Sequence, residues 1–196
     1  MALYYTEQDL LTYAEGRTAS SAADALSRLE KSALGGFDVF LSHSVRDARL
    51  ILGLRNLLRK QGLSVYVDWI EDPQLDRTQV SSATAARLRD QMRVSRTMIY
   101  ATSRAACESR WMPWELGYFD GLRNAERISI LPIESSVKYD DFVGQEYLGL
   151  YKVIEKVEVL PYGTTEPYAV LPSGLRGEPI KSFARTEGRY EDLERR

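Results

Sequence analysis

Cysteine and histidine are almost absent: the 196 residues hold one of each, Cys107 and His43. A single cysteine cannot close an intrachain disulfide, and the pair falls short of the Cys/His clusters that hold zinc, so no metal site is expected. Also missing is any run of about 18 apolar residues, the length a membrane-spanning helix requires. The first residues carry Glu7 and Asp9 where a secretion signal would have a basic and then an apolar segment. A soluble, cytoplasmic protein with no membrane partner is therefore expected. No basic run stands out, and 26 Lys+Arg against 28 Asp+Glu leave a net charge of -2, so nucleic acid is not an expected partner. Chemistry falls to carboxylates, hydroxyls and arginines.

What is present is one sizeable core. With 44% apolar residues, 196 positions suit a single domain with appendages. Residues 1–34 read as helical, with Thr6 and Ser20 or Ser21 as N-cap candidates, ahead of the Gly35-Gly36 break. Phe37–Leu41 is a short β-rich run. Arg46–Gln61 follows as a helix with Leu50, Leu54, Leu57 and Leu58 on one face, closed by Gly62. Strands at 63–67, 97–102 and 127–133 then alternate with helices at 81–95 and 111–124. Nearly continuous apolar strands alternating with helices imply a buried parallel sheet wound on both faces, a flavodoxin-like α/β fold. Residues 140–151 suggest a short helix and 152–160 an edge strand. The stretch from Pro161 to Gly174 reads as irregular and 180–193 as a polar helix. The organisation expected is a helical extension over 1–36, a core domain over 37–160 and an extension over 161–196.

In such a sheet ligands bind beyond the carboxyl ends of the strands. That rule selects Ser42-His43-Ser44, Asp68-Trp69, Thr102-Ser103-Arg104 and Glu134-Ser135, though strand ends also need polar turn residues for structure alone. The densest segment is Ser109–Gly121. Pro113 fits only a first helical turn, which puts Glu115 in that turn and Trp111, Glu115 and Tyr118 on one face. Spacing alone favours a capping or dipole role for Glu115 over catalysis. No Gly-x-Gly-x-x-Gly follows a strand, which disfavours a dinucleotide oxidoreductase, and Thr102 stands where a phospho-receiver would need aspartate. Without a nucleophile elbow, His43 does not support a serine or cysteine hydrolase. Cys107 reads as helix packing.

Phe37-Asp38-Val39-Phe40-Leu41-Ser42-His43 resembles the first sequence box of TIR (Toll/interleukin-1 receptor) domains, and Ser109-x-Trp111-x-x-x-Glu115-Leu116 is similar to that family's Ser-x-Trp-Cys-x-x-Glu-Leu segment. Val65-Tyr66-Val67-Asp68 resembles the second TIR strand. The resemblance covers about residues 37–135 and is nearest in character to the short TIR proteins of bacterial Thoeris anti-phage systems. Met112 stands where many TIR domains have cysteine, and the loop over 70–78 has no glycine.

The resemblance implies an enzyme that cleaves the nicotinamide bond of NAD⁺, with Glu115 as the catalytic carboxylate and Ser42, His43, Asp68, Trp69, Arg77 and Trp111 around the substrate. It implies no cofactor beyond NAD⁺ as substrate, self-association of TIR domains, and a cyclic ADP-ribose product that reaches a separate effector protein. Arg46, Arg77 and Arg104 are placed to approach a diphosphate or to be solvated charges only. Two other classes remain: a non-catalytic TIR adaptor, and a nucleoside deoxyribosyltransferase, which also uses a glutamate on a flavodoxin-like sheet.

Overall fold

The computed structural model describes residues 3–15, 36–72, 80–134, 145–159, 163–185 and 190–193. A two-residue strand β1 (Tyr5–Thr6) leads into helix α1 (Glu7–Glu15); the central strands are β2 (Phe37–Ser42), β3 (Val65–Tyr66), β4 (Ser95–Thr102), β5 (Ile128–Glu134) and β6 (Lys152–Val159). Between them lie α2 (Ala48–Lys60), α3 (Asp68–Glu71), α4 (Ser82–Arg93) and α5 (Trp111–Arg123). β3, β2, β4, β5 and β6 pair in that order, all parallel. Counted from β2 this is the 2-1-3-4-5 order of the flavodoxin-like fold, as the alternation of elements predicts.

All six residues of β2 are buried because helices cover both faces of the sheet. Alternation sends Val39 and Leu41 to one face, where they meet Leu54 and Leu58 of α2. It sends Phe40 to the other, with Tyr100, Met112 and Leu116. The leucines of α2 face the core as their spacing implies, with Leu50 only partly buried. Gly62 ends the turn after α2 at φ +79, a left-handed conformation that suits glycine.

Three segments depart from the sequence reading. The N-terminal extension is not helical throughout, since β1 pairs in parallel with the end of β5 before α1 begins; the cap candidates Ser20 and Ser21 lie outside the described residues. Thr6 is the N-cap: its backbone N–H donates to Asp9 Oδ2 at 2.8 Å, and its hydroxyl accepts from the Asp9 N–H at 3.1 Å. β6 is not an edge strand. It pairs antiparallel with β7 (Thr164–Val170), which continues to β8 (Arg176–Pro179) and β9 (Glu191–Asp192), so the stretch read as irregular extends the sheet.

Pro167 made that stretch look unlike a strand, yet it costs the ladder nothing. Its partner Lys156 donates its N–H away from β7, to the Leu3 carbonyl at 2.7 Å, so the Lys156–Pro167 pair is one that exchanges no hydrogen bonds. Of the expected helix over 180–193, the described residues form α6 (Ile180–Arg185), whose Ile180, Phe183 and Ala184 are buried, and the strand β9.

Candidate active site

The parallel order reverses direction between β2 and β4, so the loops leaving those two strands diverge to opposite faces and open a crevice at their carboxyl ends. Ser42 is the last residue of β2 and shares the face of Phe40, against α5. Its hydroxyl donates to Glu115 Oε2 at 2.6 Å, and neither side chain has any exposed surface. A buried carboxylate with a charge-assisted hydroxyl donor is held in one orientation.

The helix that delivers Glu115 begins at Trp111, and Ser109 Oγ accepts the Met112 N–H at 3.3 Å near its start. Pro113 is its third residue, within the first turn as expected. Glu115 is its fifth. The sequence reading placed this residue in the first turn, where a cap would sit; it lies one residue beyond, turned into the fold, and reaches a partner 73 residues away in sequence.

Tyr118 does not join Glu115. It stacks on Trp114 with ring centroids 5.9 Å apart, and Trp114 meets Trp111 edge-on at 5.4 Å. Trp111 is buried among Phe40, Met112 and Leu116, so it packs helix to sheet at the same place where it could wall a ligand.

On the opposite face of the strand end, His43 collects the remaining predicted residues. Its Nδ1 lies 2.8 Å from the Leu41 carbonyl, which can only accept, so Nδ1 carries the proton. Nε2 is then free to accept the Trp69 indole N–H at 3.1 Å. Asp68 Oδ1 stands 3.3 Å from Nε2 and accepts the Trp69 backbone N–H at 2.8 Å. Ser42 and Glu115 thus form one cluster and His43, Asp68 and Trp69 another, joined by the Ser42–His43 peptide across the sheet end. Arg77 and Ser135 lie outside the described residues.

Other assignments change. Cys107 is exposed rather than packed in a helix. Arg46 pairs with Glu108, and Arg104 is exposed on a turn. Asp47 accepts from Ser103, tying the loops after β2 and β4 together across the crevice; neither residue's type or position announces that contact in the sequence. Asp38, part of the first motif, serves structure: its Oδ2 accepts the Ser64 N–H at 2.9 Å and Arg185 Nη2 at 3.1 Å, linking β2 to the turn before β3 and to α6. Among the described residues no group of three His, Cys, Asp or Glu side chains is arranged to hold a metal.

A family model described as the TIR domain matches residues 39–155. A Bacillus cereus (strain MSX-D12) protein named "Probable 3' cyclic ADP-D-ribose synthase ThsB'" is 43% identical over 168 residues, spanning 80% of this chain and 85% of that protein. TIR2 of Cytobacillus dafuensis, also named for cyclic ADP-D-ribose synthesis, is 31% identical over 99 residues, 48% of this chain and 26% of that protein. Among solved structures, the TIR domain of the Toll-related receptor TRR-2 from Hydra magnipapillata aligns with a TM-score of 0.40 at 16% identity, over 56% of this chain and 79% of that one. The family model takes in the first motif from Val39 onward, all of the second, the switch point and the Ser42–Glu115 pair, and the chain belongs to the TIR domain family.

Proposed function

We propose that this protein cleaves the bond between nicotinamide and ribose in NAD⁺ and closes the ADP-ribosyl fragment into a cyclic nucleotide that signals in anti-phage defence. The observation that carries the reading is the buried Glu115 carboxylate, oriented by Ser42 at the switch point of the sheet. The 43% identical relative, whose name assigns it a cyclic ADP-D-ribose product, supports the choice of substrate. NAD⁺ is an ADP-ribose that already bears a good leaving group.

The chemistry asks little of the protein beyond electrostatics. The C–N bond breaks with its electron pair moving onto the pyridinium nitrogen, so nicotinamide leaves neutral and the ribosyl C1 is left with positive charge. An ionised Glu115 beside that carbon stabilises the charge as it develops, the logic of a glycosidase without its leaving-group acid. Ring closure follows when a hydroxyl of the same molecule attacks C1 and loses its proton; water in its place gives linear ADP-ribose. Glu115 has no exposed surface, so the sugar reaches it only after neighbouring side chains move aside. Trp69 and Trp111 are proposed as substrate contacts, with Trp69 held by His43 and Asp68. Arg77 is proposed for the diphosphate.

The stretch over 37–160 is proposed as the catalytic unit, with β1 before it and β7, β8 and β9 after it adding strands to its sheet. Self-association and a separate effector that reads the nucleotide belong to the same reading. The test is Glu115→Gln. It should fold with an unchanged melting temperature and lose NAD⁺ cleavage by at least ~100-fold. Products separated by mass and retention should include a cyclic isomer with the wild-type chain and none with the variant. A protein-free filtrate of the wild-type reaction should switch on a neighbouring-gene effector. Undiminished turnover in the variant ends the assignment, and a filtrate holding only linear ADP-ribose and nicotinamide ends the messenger role.

A further inference from the structure

Two more hydroxyls share the face of the sheet that carries Glu115, and the reaction above does not use them. Side chains alternate along β4, so Tyr100 and Thr102 point to the face of Met98, which packs with Met112 and Leu116 of α5. The parallel register sets Tyr100 beside Ser42. Thr102 is one pleat further toward the carboxyl end of β4, where the crevice opens.

Both hydroxyls are buried, and among the described residues neither makes a hydrogen bond. Gln145 lies near the Tyr100 hydroxyl without the geometry of a bond. Burial above all, with the Glu115 carboxylate adding to it, pushes the Tyr100 phenol above its ordinary range, so it keeps its proton and remains a donor. A buried hydroxyl with no partner destabilises the fold that keeps it, and at Thr102 a valine of the same shape would remove that cost. Two such groups on the sheet face that carries one buried carboxylate point to a ligand rich in hydroxyls.

We propose that Thr102 Oγ1, assisted by the Tyr100 hydroxyl, binds the hydroxyls of the substrate ribose that faces Glu115, and that both groups are paired only when the sugar is in place. This rests on the NAD⁺ reading and assigns its ribose subsite. Ser129 supplies an internal control. Its hydroxyl is likewise buried and unbonded among the described residues, but it pairs with Ile99, so it lies on the other face of the sheet, away from Glu115.

The experiment compares Thr102→Val, Tyr100→Phe, Thr102→Ser and Ser129→Ala with the wild-type chain. Three quantities are read: the melting temperature without ligand, kcat and KM for NAD⁺, and the affinity for ADP-ribose, which presents the sugar without turnover. Thr102→Val and Ser129→Ala should both melt higher than wild type. Only Thr102→Val and Tyr100→Phe should weaken ADP-ribose binding and raise KM, by about three- to tenfold for one hydrogen bond each. Thr102→Ser, which keeps the hydroxyl, should bind as wild type does. The proposal is overturned if Thr102→Val binds and turns over normally, if Ser129→Ala loses affinity equally, or if Thr102→Val melts lower than wild type. Should Thr102→Val fail to fold, Tyr100→Phe with normal affinity overturns it equally. A wild-type chain that neither cleaves NAD⁺ nor binds ADP-ribose removes the functional reading itself; cleavage with an indifferent Thr102→Val removes only this inference.

Discussion

A carboxylate inside a protein must find donors, and where they come from separates Asp38 from Glu115, two of the acids in the TIR motifs. Asp38 takes its donors from Ser64 and Arg185 and spends its charge joining β2 to neighbouring elements. Glu115 takes the Ser42 hydroxyl at the crevice. Replacing that donor by Ser42→Ala should lower the unfolding free energy by about 1–3 kcal/mol and slow NAD⁺ cleavage, because the carboxylate loses a partner and its fixed orientation. Denaturant titration and single-turnover assays check both; a variant unchanged in each would show that Ser42 does not hold Glu115. His43 works by tautomer. With its Nδ1–H donating to the Leu41 carbonyl, it offers Nε2 to the Trp69 indole N–H, so the only histidine in the chain helps to hold an aromatic side chain at the strand ends.

At the scale of elements, the packing of α1 shows how a flank becomes part of the core. The Thr6–Asp9 cap fixes where the helix starts, and Leu10 is fully buried. Asp9 also pairs with Lys156 of β6 at 2.8 Å. Burial works against the Asp9 charge, but the bonds from Lys156 and Thr6 outweigh it and hold its pKa below the ordinary carboxylate value. That contribution is present above the unfolded-state pKa and is lost as pH falls through the folded one. The closest approach is at Gly53 of α2, where an added Cβ would stand 1.9 Å from the Leu10 carbonyl oxygen. Gly→Ala inside a helix ordinarily stabilises by about 1 kcal/mol. Here the overlap with rigid backbone reverses the sign, and Gly53→Ala should destabilise by about 1–3 kcal/mol as α1 is forced off α2. A raised melting temperature would show that α1 is not seated there.

Across the whole molecule, a parallel sheet of five strands continues into an antiparallel meander, and one buried lysine ties the two together. Lys152 begins β6 and lies under Phe183 and Tyr190, with its Nζ 2.8 Å from the Glu126 carbonyl and 3.4 Å from Glu178 Oε1. Burial opposes its charge, yet hydrogen bonds to Tyr190 and Glu126 keep its pKa above the ordinary lysine value. Outside, Val80 and Leu150 are about two-thirds exposed at 69% and 72%, and Tyr147 is exposed near Leu150 in sequence. Self-association is proposed above on the family resemblance. Specific activity should therefore rise with protein concentration; a flat value over a wide dilution series would mark a self-sufficient monomer.

The alternation of apolar strands with leucine-faced helices determined the parallel sheet by itself, because periods of two and 3.6 are local properties of the chain. The strand order then points to the strand ends, where Ser42 meets Glu115 on one face and His43 meets Asp68 and Trp69 on the other. Glu115 was singled out by family resemblance, since a carboxylate near a helix start is locally indistinguishable from a cap. Only the tertiary structure decided that it points inward to Ser42. It also decided the strands after residue 160: Pro167 hides a strand because whether its missing N–H matters depends on which neighbour that nitrogen faces. The same holds for Tyr100 and Thr102. They look like ordinary strand residues in the chain, and only the folded sheet shows that their hydroxyls lie on the face of the buried acid and stay unpaired among the described residues.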